Sequence, residues 1–261
     1  MCITEIGSIA LWQSNVFSGF KNVVHGFTTR KGGVSKGEYA SLSMSPWRGD
    51  DIECVKKNEQ ILCENLSLNV SKLTATKQEH TDTIEIIDET RIGYGINIPW
   101  NKGVDACITT LKNVPLLCYS ADCVPILIYA SDIEAIAAVH AGWRGTQSKI
   151  LEKTIGKLTE LGAENKKIFV AIGPCIHKCC YEVSDDVALQ FGSKYYDACG
   201  NGKYMLDLAD VNSDLAKMCG VPDENISVSK MCTKCNNDLF FSHRGQKGKS
   251  GTLAGVICMR G

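Results

Sequence analysis

The chain has 261 residues, 28 basic against 29 acidic side chains, a formal net charge of −1 and 44% hydrophobic residues. That length can bury a sizeable core, and the charge balance leaves no electrostatic footprint for nucleic acid or an anionic membrane. Apolar stretches fall short of the ~18–20 residues a membrane span needs, and MCITEIGSIALWQSNVF at the start has no basic region leading into an apolar one, so a cytoplasmic protein is expected.

In chain order, HGFTTRKGGVSKGEYASL (25–42) follows a short strand and reads as a structured glycine-rich loop. Helical spacing of Ile52, Val55, Ile61, Leu62 and Leu66 predicts an amphipathic helix over 51–66. KLTATKQEH (72–80) reads as a strand running into His80, and IEIID (84–88) and DACITT (105–110) as further short strands. Two apolar runs follow, Val124–Tyr129 and Ile133–Val139, separated by the turn-tolerant Ser131-Asp132. In the hairpin they would form, Leu127, Ile136 and Ala138 share one face and Val124, Ile126, Ile128 and Val139 the other. Both faces are apolar, so both must be covered, by helices or a second sheet.

TQSKILEKTIGKLTELG (146–162) predicts a helix with Ile150, Leu151, Ile155, Leu158 and Leu161 inward, Thr146 as N-cap and Gly162 as terminator. KIFVAIGP (167–174) is a buried strand and VSDDVALQFG (183–192) a short helix. ISVSK (226–230), DLFFSHR (238–244) and TLAGVICMR (252–260) complete the strands. No repeat or linker divides the chain, and strands and helices do not alternate strictly. Residues 1–261 are therefore expected to form a single α+β domain rather than a doubly wound sheet.

Fourteen cysteines in a long chain without a signal read mostly as reduced, buried small hydrophobes. Cys123 is different. Folded symmetrically about Ser131-Asp132, the hairpin sets Cys123 directly opposite His140, with Cβ atoms about 4.5–5.5 Å apart. One small cation can bridge such a pair, although a one-residue slip would send the two to opposite faces. A catalytic zinc takes three protein ligands and a water. His80, after a strand and in a polar KQEHTD context, is the candidate third; His25, His177 and His243 are the other histidines. The residues alone leave Cys123 and His140 equally open to a structural role.

AGWRGT, leading into the 146 helix, puts free N–H groups and Arg144 beside that pair, an anion site unless the glycines only make a tight turn. Asp122 stands to orient His140 or shuttle a proton, or simply to cap the strand. Arg30 and Arg48, in glycine-containing loops, are either substrate contacts or solvated surface. Cys232-x-x-Cys235 is half a zinc-ribbon pattern that Cys175 with Cys179-Cys180 would complete, a rival structural zinc. A thioredoxin-like role is disfavoured because CTKC does not open a helix after a strand.

HGFTTRKGGVS, KQEH, VDACIT, ADCVPIL, VHAGWRGT, IGPCIHKCCYEV and CTKCNNDLFFSHRGQKGKSG, in that order, resemble the bacterial laccase-domain or "polyphenol oxidase" family. Its members are described as purine nucleoside phosphorylases with adenosine deaminase activity. The resemblance runs over roughly residues 20–258. It implies packed mixed sheets covered by outer helices, and a zinc held by the histidine of Q-x-H, the cysteine of ADC and the histidine of HAGWRG: here His80, Cys123 and His140. Three departures stand out: QEHT for the usual Q-V-H-G, Ser41-Leu42-Ser43 for SLN, and Ser250-Gly251-Thr252 for T-G-R. The last removes an arginine.

The expectation that follows is a zinc enzyme, with copper as the other metal. It would phosphorolyse adenosine, inosine and S-methyl-5′-thioadenosine, deaminate adenosine, and act as a monomer or small homo-oligomer. Arg144 and Asp122 would be catalytic, and Arg30, Arg48 and Arg144 would bind substrate. Copper-dependent phenol oxidation is the older alternative, but five histidines cannot build the several His-rich clusters of a blue-copper oxidase. A hydrolase using Cys123 as nucleophile and His140 as base is the other.

Overall fold

A hairpin that is apolar on both faces has to lie between two layers, and the computed structural model, which describes residues 2–261, shows which layers they are. The chain runs through β1 (Cys2–Ile6), β2 (Ile9–Gln13), β3 (Val23–Thr28), α1 (Ile52–Leu66), β4 (Thr74–Ala75), β5 (Ile84–Ile86) and β6 (Ala106–Thr109). Then come β7 (Leu116–Ser120), β8 (Val124–Ala130), β9 (Ala135–Ala141), α2 (Trp143–Gln147), α3 (Ile150–Glu160), β10 (Ile168–Ile172), β11 (Glu182–Ser184) and α4 (Asp185–Ala188). Last are β12 (Tyr196–Gly200), β13 (Lys203–Leu206), α5 (Leu208–Met218), β14 (Ile226–Val228) and β15 (Leu253–Met259).

Two six-stranded sheets, ordered β1-β2-β3-β15-β7-β4 and β14-β10-β8-β9-β6-β5, stack with a small β11-β13-β12 sheet beside them. Both large sheets are mixed: β4–β7, β5–β6 and β10–β14 pair in parallel and the rest antiparallel. Leu127, Ile136 and Ala138 pack between the sheets with Phe27, Cys107, Cys118 and Ile257. Ile126, Ile128 and Val139 face outward onto Leu151, Ile155 and Leu158 of α3 and Ala209 and Ala216 of α5. The other sheet's outer face, including Leu11, Leu117 and Val256, meets Leu62 and Leu66 of α1. The expected α+β architecture of packed mixed sheets under outer helices is what forms. Each fully buried aliphatic side chain contributes about 1.5–3 kcal/mol.

The hairpin's register differs from the symmetrical one. Ala130 pairs with Ala135, Pro125 with His140 and Val124 with Ala141, so the loop holds four residues rather than two. Ile133 N donates to Asp132 Oδ1 at 3.1 Å, and Glu134 takes a left-handed φ of 47°. The shift is by two positions, and side chains alternate with period 2. Cys123 and His140 therefore stay on one face, as diagonal rather than direct neighbours.

Four local expectations change. The 72–80 strand shrinks to Thr74–Ala75, and His80 lies in a loop with φ 60°. The 146–162 helix is two helices, broken where Lys149 adopts φ 62°. The first begins at Trp143 behind Gly142, and Thr146 N is already bonded to Gly142 O at 2.8 Å, so Thr146 is not an N-cap. Leu161, expected inward, is exposed, while Gly162 ends the helix as expected with φ 107°. DLFFSHR is no strand: Phe240 N bonds Asn236 O, and the adjacent Phe240 and Phe241 are both fully buried, which an alternating edge strand does not allow. The 183–192 helix is confined to Asp185–Ala188.

Candidate metal centre

Three side chains converge where the loop after β4, the entry to β8 and the end of β9 meet. Donor atoms of His80, Cys123 and His140 all lie within 4.8 Å of one another. His80 Nε2 is 3.7 Å from Cys123 Sγ, and the two imidazoles meet edge-on at 4.9 Å between centroids. His140 is buried and His80 exposed.

One carboxylate organises two of the three. Asp105, fully buried at the start of β6, accepts from the backbone N–H of Glu79, His80 and Thr81 and from the Thr81 hydroxyl at 2.8–3.2 Å. These bonds hold the left-handed turn that presents His80. The same carboxylate accepts from His140 Nδ1 at 2.8 Å, so when the ring is neutral, as a metal ligand must be, Nε2 carries the lone pair. Burial pushes the Asp105 carboxyl up, but His140 and Thr81 more than reverse this and hold it below its ordinary value. Loss of solvent likewise raises the Cys123 thiol, and the two histidines bring it down to about 6. Burial lowers His140, whereas Cys123 and Asp105 raise it to about 9. A thiolate is therefore the favoured state of Cys123 at neutral pH.

The donor set fits a metal ion. A thiolate and two imidazoles suit zinc or copper, and the surrounding backbone is shaped to let them meet. At Gly142 a Cβ atom would stand 2.7 Å from His80 Cδ2 and 3.3 Å from Cys123 Sγ, so any larger residue would enter the space the ligands share.

The three residues line a cavity of about 230 Å³, with Trp47, Arg48, Gln78, Tyr119, His243 and Thr252 among its other walls. Arg48 Nη2 lies 2.6 Å from His243 Nδ1. Arginine can only donate, so Nδ1 accepts and the neutral ring carries its proton on Nε2. Burial, Arg48 and Arg244 all lower the His243 pKa, with Asp122 opposing. The hydroxyls of Tyr119 and Thr252 are buried without a protein partner. Gln78 is fixed by its bonds to Tyr119 O and N at 2.7 and 2.6 Å.

Among the residues singled out from the sequence, His80, Cys123, His140 and Arg48 come together here. Arg30 does not: its guanidinium donates to Ala40 O and Asn237 O at 2.8 and 2.7 Å and lies over Phe241. Arg144 is exposed and stacks on Trp143, 4.4 Å from the ring centroid. Asp122 does not orient His140, because Asp105 does; its oxygens accept instead from Thr233 Oγ1 and Arg244 N, both at 2.6 Å. Asp105 was missed in the sequence, its signal being one acid at the head of an otherwise apolar run. Trp47, Tyr119 and His243 gave no sign of convergence.

Residues 24–260 match the family model described as multi-copper polyphenol oxidoreductase laccase. The chain belongs to that family. It is 34% identical over 251 residues to a purine nucleoside phosphorylase of Bacteroides thetaiotaomicron, covering 92% of this chain and 93% of that protein. It is 31% identical to the adenosine deaminase RL5 of an unknown prokaryotic organism, over 89% of this chain and 93% of that protein. The crystal structure of YlmD from Geobacillus stearothermophilus superposes with a TM-score of 0.91 at 32% identity, covering 99% of this chain and 98% of that one. Despite the family's multi-copper title, His80, Cys123 and His140 are the only histidine-containing metal group among the described residues, and no described helix is long and apolar enough to cross a membrane.

Proposed function

We propose that the protein is a zinc-dependent purine nucleoside phosphorylase acting on adenosine, inosine and S-methyl-5′-thioadenosine, with adenosine deaminase activity. The carrying observation is that His80, Cys123 and His140 open onto a walled cavity with a guanidinium and an imidazole on its rim. Three protein ligands facing a cavity make a catalytic rather than a structural site. Bound there, zinc would supply Lewis acidity and a water acidic enough to ionise near neutral pH.

In phosphorolysis a phosphate oxygen bonds C1′ of the ribose, the C1′–N9 bond breaks, and the electron pair leaves with the purine, which takes up a proton. Arg48 is suited to hold the phosphate, because it lines the cavity and its bond to His243 Nδ1 orients the guanidinium. The Nε2–H of His243 supplies a neutral donor beside it. Trp47, 55% exposed, offers a stacking face for the purine, and the hydroxyls of Tyr119 and Thr252 are partners for ribose oxygens. Asp122 and Arg144, the other candidates for catalysis, are not among the cavity's walls: Asp122 accepts from Arg244 N, next to the wall residue His243, and Arg144 stacks on Trp143.

Zinc-loaded protein incubated with inosine should release hypoxanthine and ribose 1-phosphate only when phosphate is present, and should convert adenosine to inosine. No base release from any of the three nucleosides would end this reading. A second reading rests on the chain Asp105–His140–Cys123, which has the order of a cysteine-hydrolase triad. If iodoacetamide labels Cys123 at the same rate with and without a chelator, the thiolate is free and that reading gains.

A further inference from the structure

Away from the cavity, a second group of sulfurs is brought together by two turns. Cys179 and Cys180 follow β10, and Cys232 and Cys235 follow β14; their Sγ atoms all lie within 4.8 Å of one another. Cys179–Cys235 and Cys180–Cys235 are 3.6 and 3.4 Å apart. These separations are too long for an S–S bond of about 2.05 Å. They approach the ~3.8 Å edge of a tetrahedron built on Zn–S bonds of ~2.3 Å.

We propose that Cys179, Cys180, Cys232 and Cys235 bind a structural zinc ion through four thiolates. The backbone is arranged for it. Cys180 N and Tyr181 N both bond His177 O, closing a tight turn that brings the adjacent cysteines to one side. In the C-T-K-C turn, N–H groups of Lys234 and Cys235, with that of His177 from the other loop, are directed at Cys232 Sγ. Cys175, which the sequence offered as a possible ligand, is fully buried and stays outside the group, paired in a short bridge with Cys232. Unlike the core cysteines, Cys179 and Cys235 are exposed, so apolar packing does not account for the cluster. A tetrahedral all-sulfur set selects zinc or iron among common ions, and an ion held by four protein ligands is structural.

The ion would staple the loop after β10 to the loop after β14. The second loop also reaches the cavity: Thr233 Oγ1 and Arg244 N bond Asp122, next to Cys123, and His243 is a cavity wall. The four-cysteine site thus fixes the wall of the first site without touching substrate.

Zinc content and cobalt spectra test this, and neither readout depends on any activity towards nucleosides. Protein purified without chelator should carry two zinc equivalents per chain. H80A/H140A should keep one, and C232S/C235S should keep one. Cobalt-loaded H80A/H140A should show thiolate-to-cobalt charge transfer of four-sulfur intensity with tetrahedral d–d bands, a measurement that survives even if the cysteine variant fails to fold. H80A/H140A without metal, iron in place of zinc, or disulfides among the four cysteines in anaerobically prepared protein would each overturn the proposal.

Discussion

The two sulfur-bearing clusters are built in opposite ways. His80, Cys123 and His140 sit where both large sheets have already fixed the backbone, and Asp105 locks two of them through one buried carboxylate. Their remaining side faces a cavity. The four cysteines hang from two surface turns, are steadied by backbone N–H groups, and offer four sulfur donors within reach of one point. Where chemistry is to happen, the supports are buried and the approach is open. Where a loop is to be tied, the supports are local and the ligand set is complete.

The contrast breaks most visibly if His140→Ala remains active. A metal contributes several kcal/mol to a transition state, and each ~1.4 kcal/mol is tenfold in rate. His140→Ala should therefore lower kcat/KM for inosine by about a thousandfold or more, measured with zinc in excess.

Next in size is Asp105→Asn. Whichever oxygen the amide nitrogen replaces, it faces donors, either Glu79 N, Thr81 N and Thr81 Oγ1 or His80 N and His140 Nδ1, so the turn carrying His80 loosens and His140 loses its anionic partner. Metal affinity should fall about 10–100-fold, read by competition with a chromogenic chelator. Gly142→Ala should be milder, about tenfold in the same assay. The close contact is His80, whose exposed ring can move aside at the expense of metal geometry. An unchanged affinity in both variants would show that the first cluster is no better supported than the second.

The smallest effect sharpens the comparison from outside either cluster. Asp105 is buried yet stays ionised, whereas Glu59 in α1 is buried and pushed up to about 7 by loss of solvent, with Lys56 opposing. A carboxyl whose folded pKa is raised contributes most below its unfolded value near 4.5, and that contribution is lost as pH rises through about 7. Glu59→Gln should leave Tm unchanged at pH 4 and raise it by a few degrees at pH 8, about 1–2 kcal/mol. Scanning calorimetry at the two pH values reads it.

What the sequence made legible follows from periodicity. Cys123 and His140 were placed on one face correctly although their pairing was displaced by two positions, because alternation is insensitive to an even shift. The covered hairpin, and with it the layered fold, came from the same alternation. His80 was reachable from its polar context and the family resemblance, but not from periodicity, since its φ of 60° takes it off any strand. Asp105 was hidden because its importance lies in five bonds to residues distant in sequence or on another strand. Arg30 and Arg144 show the converse: an arginine in a glycine loop says nothing about where its fork is aimed. Phe240 and Phe241 misled because a short apolar run reads as strand whether or not it alternates.

The strand β15 carries one more consequence. It is the last of its sheet to be synthesised, yet it lies in the middle, between β3 and β7. Until those seven residues emerge, the β1-β2-β3 half and the β7-β4 half have no backbone ladder joining them, and each exposes an unsatisfied sheet edge. Completion of this layer therefore waits for β15. A chain lacking residues 253–259 would offer two sticky edges to chaperones instead of one continuous sheet.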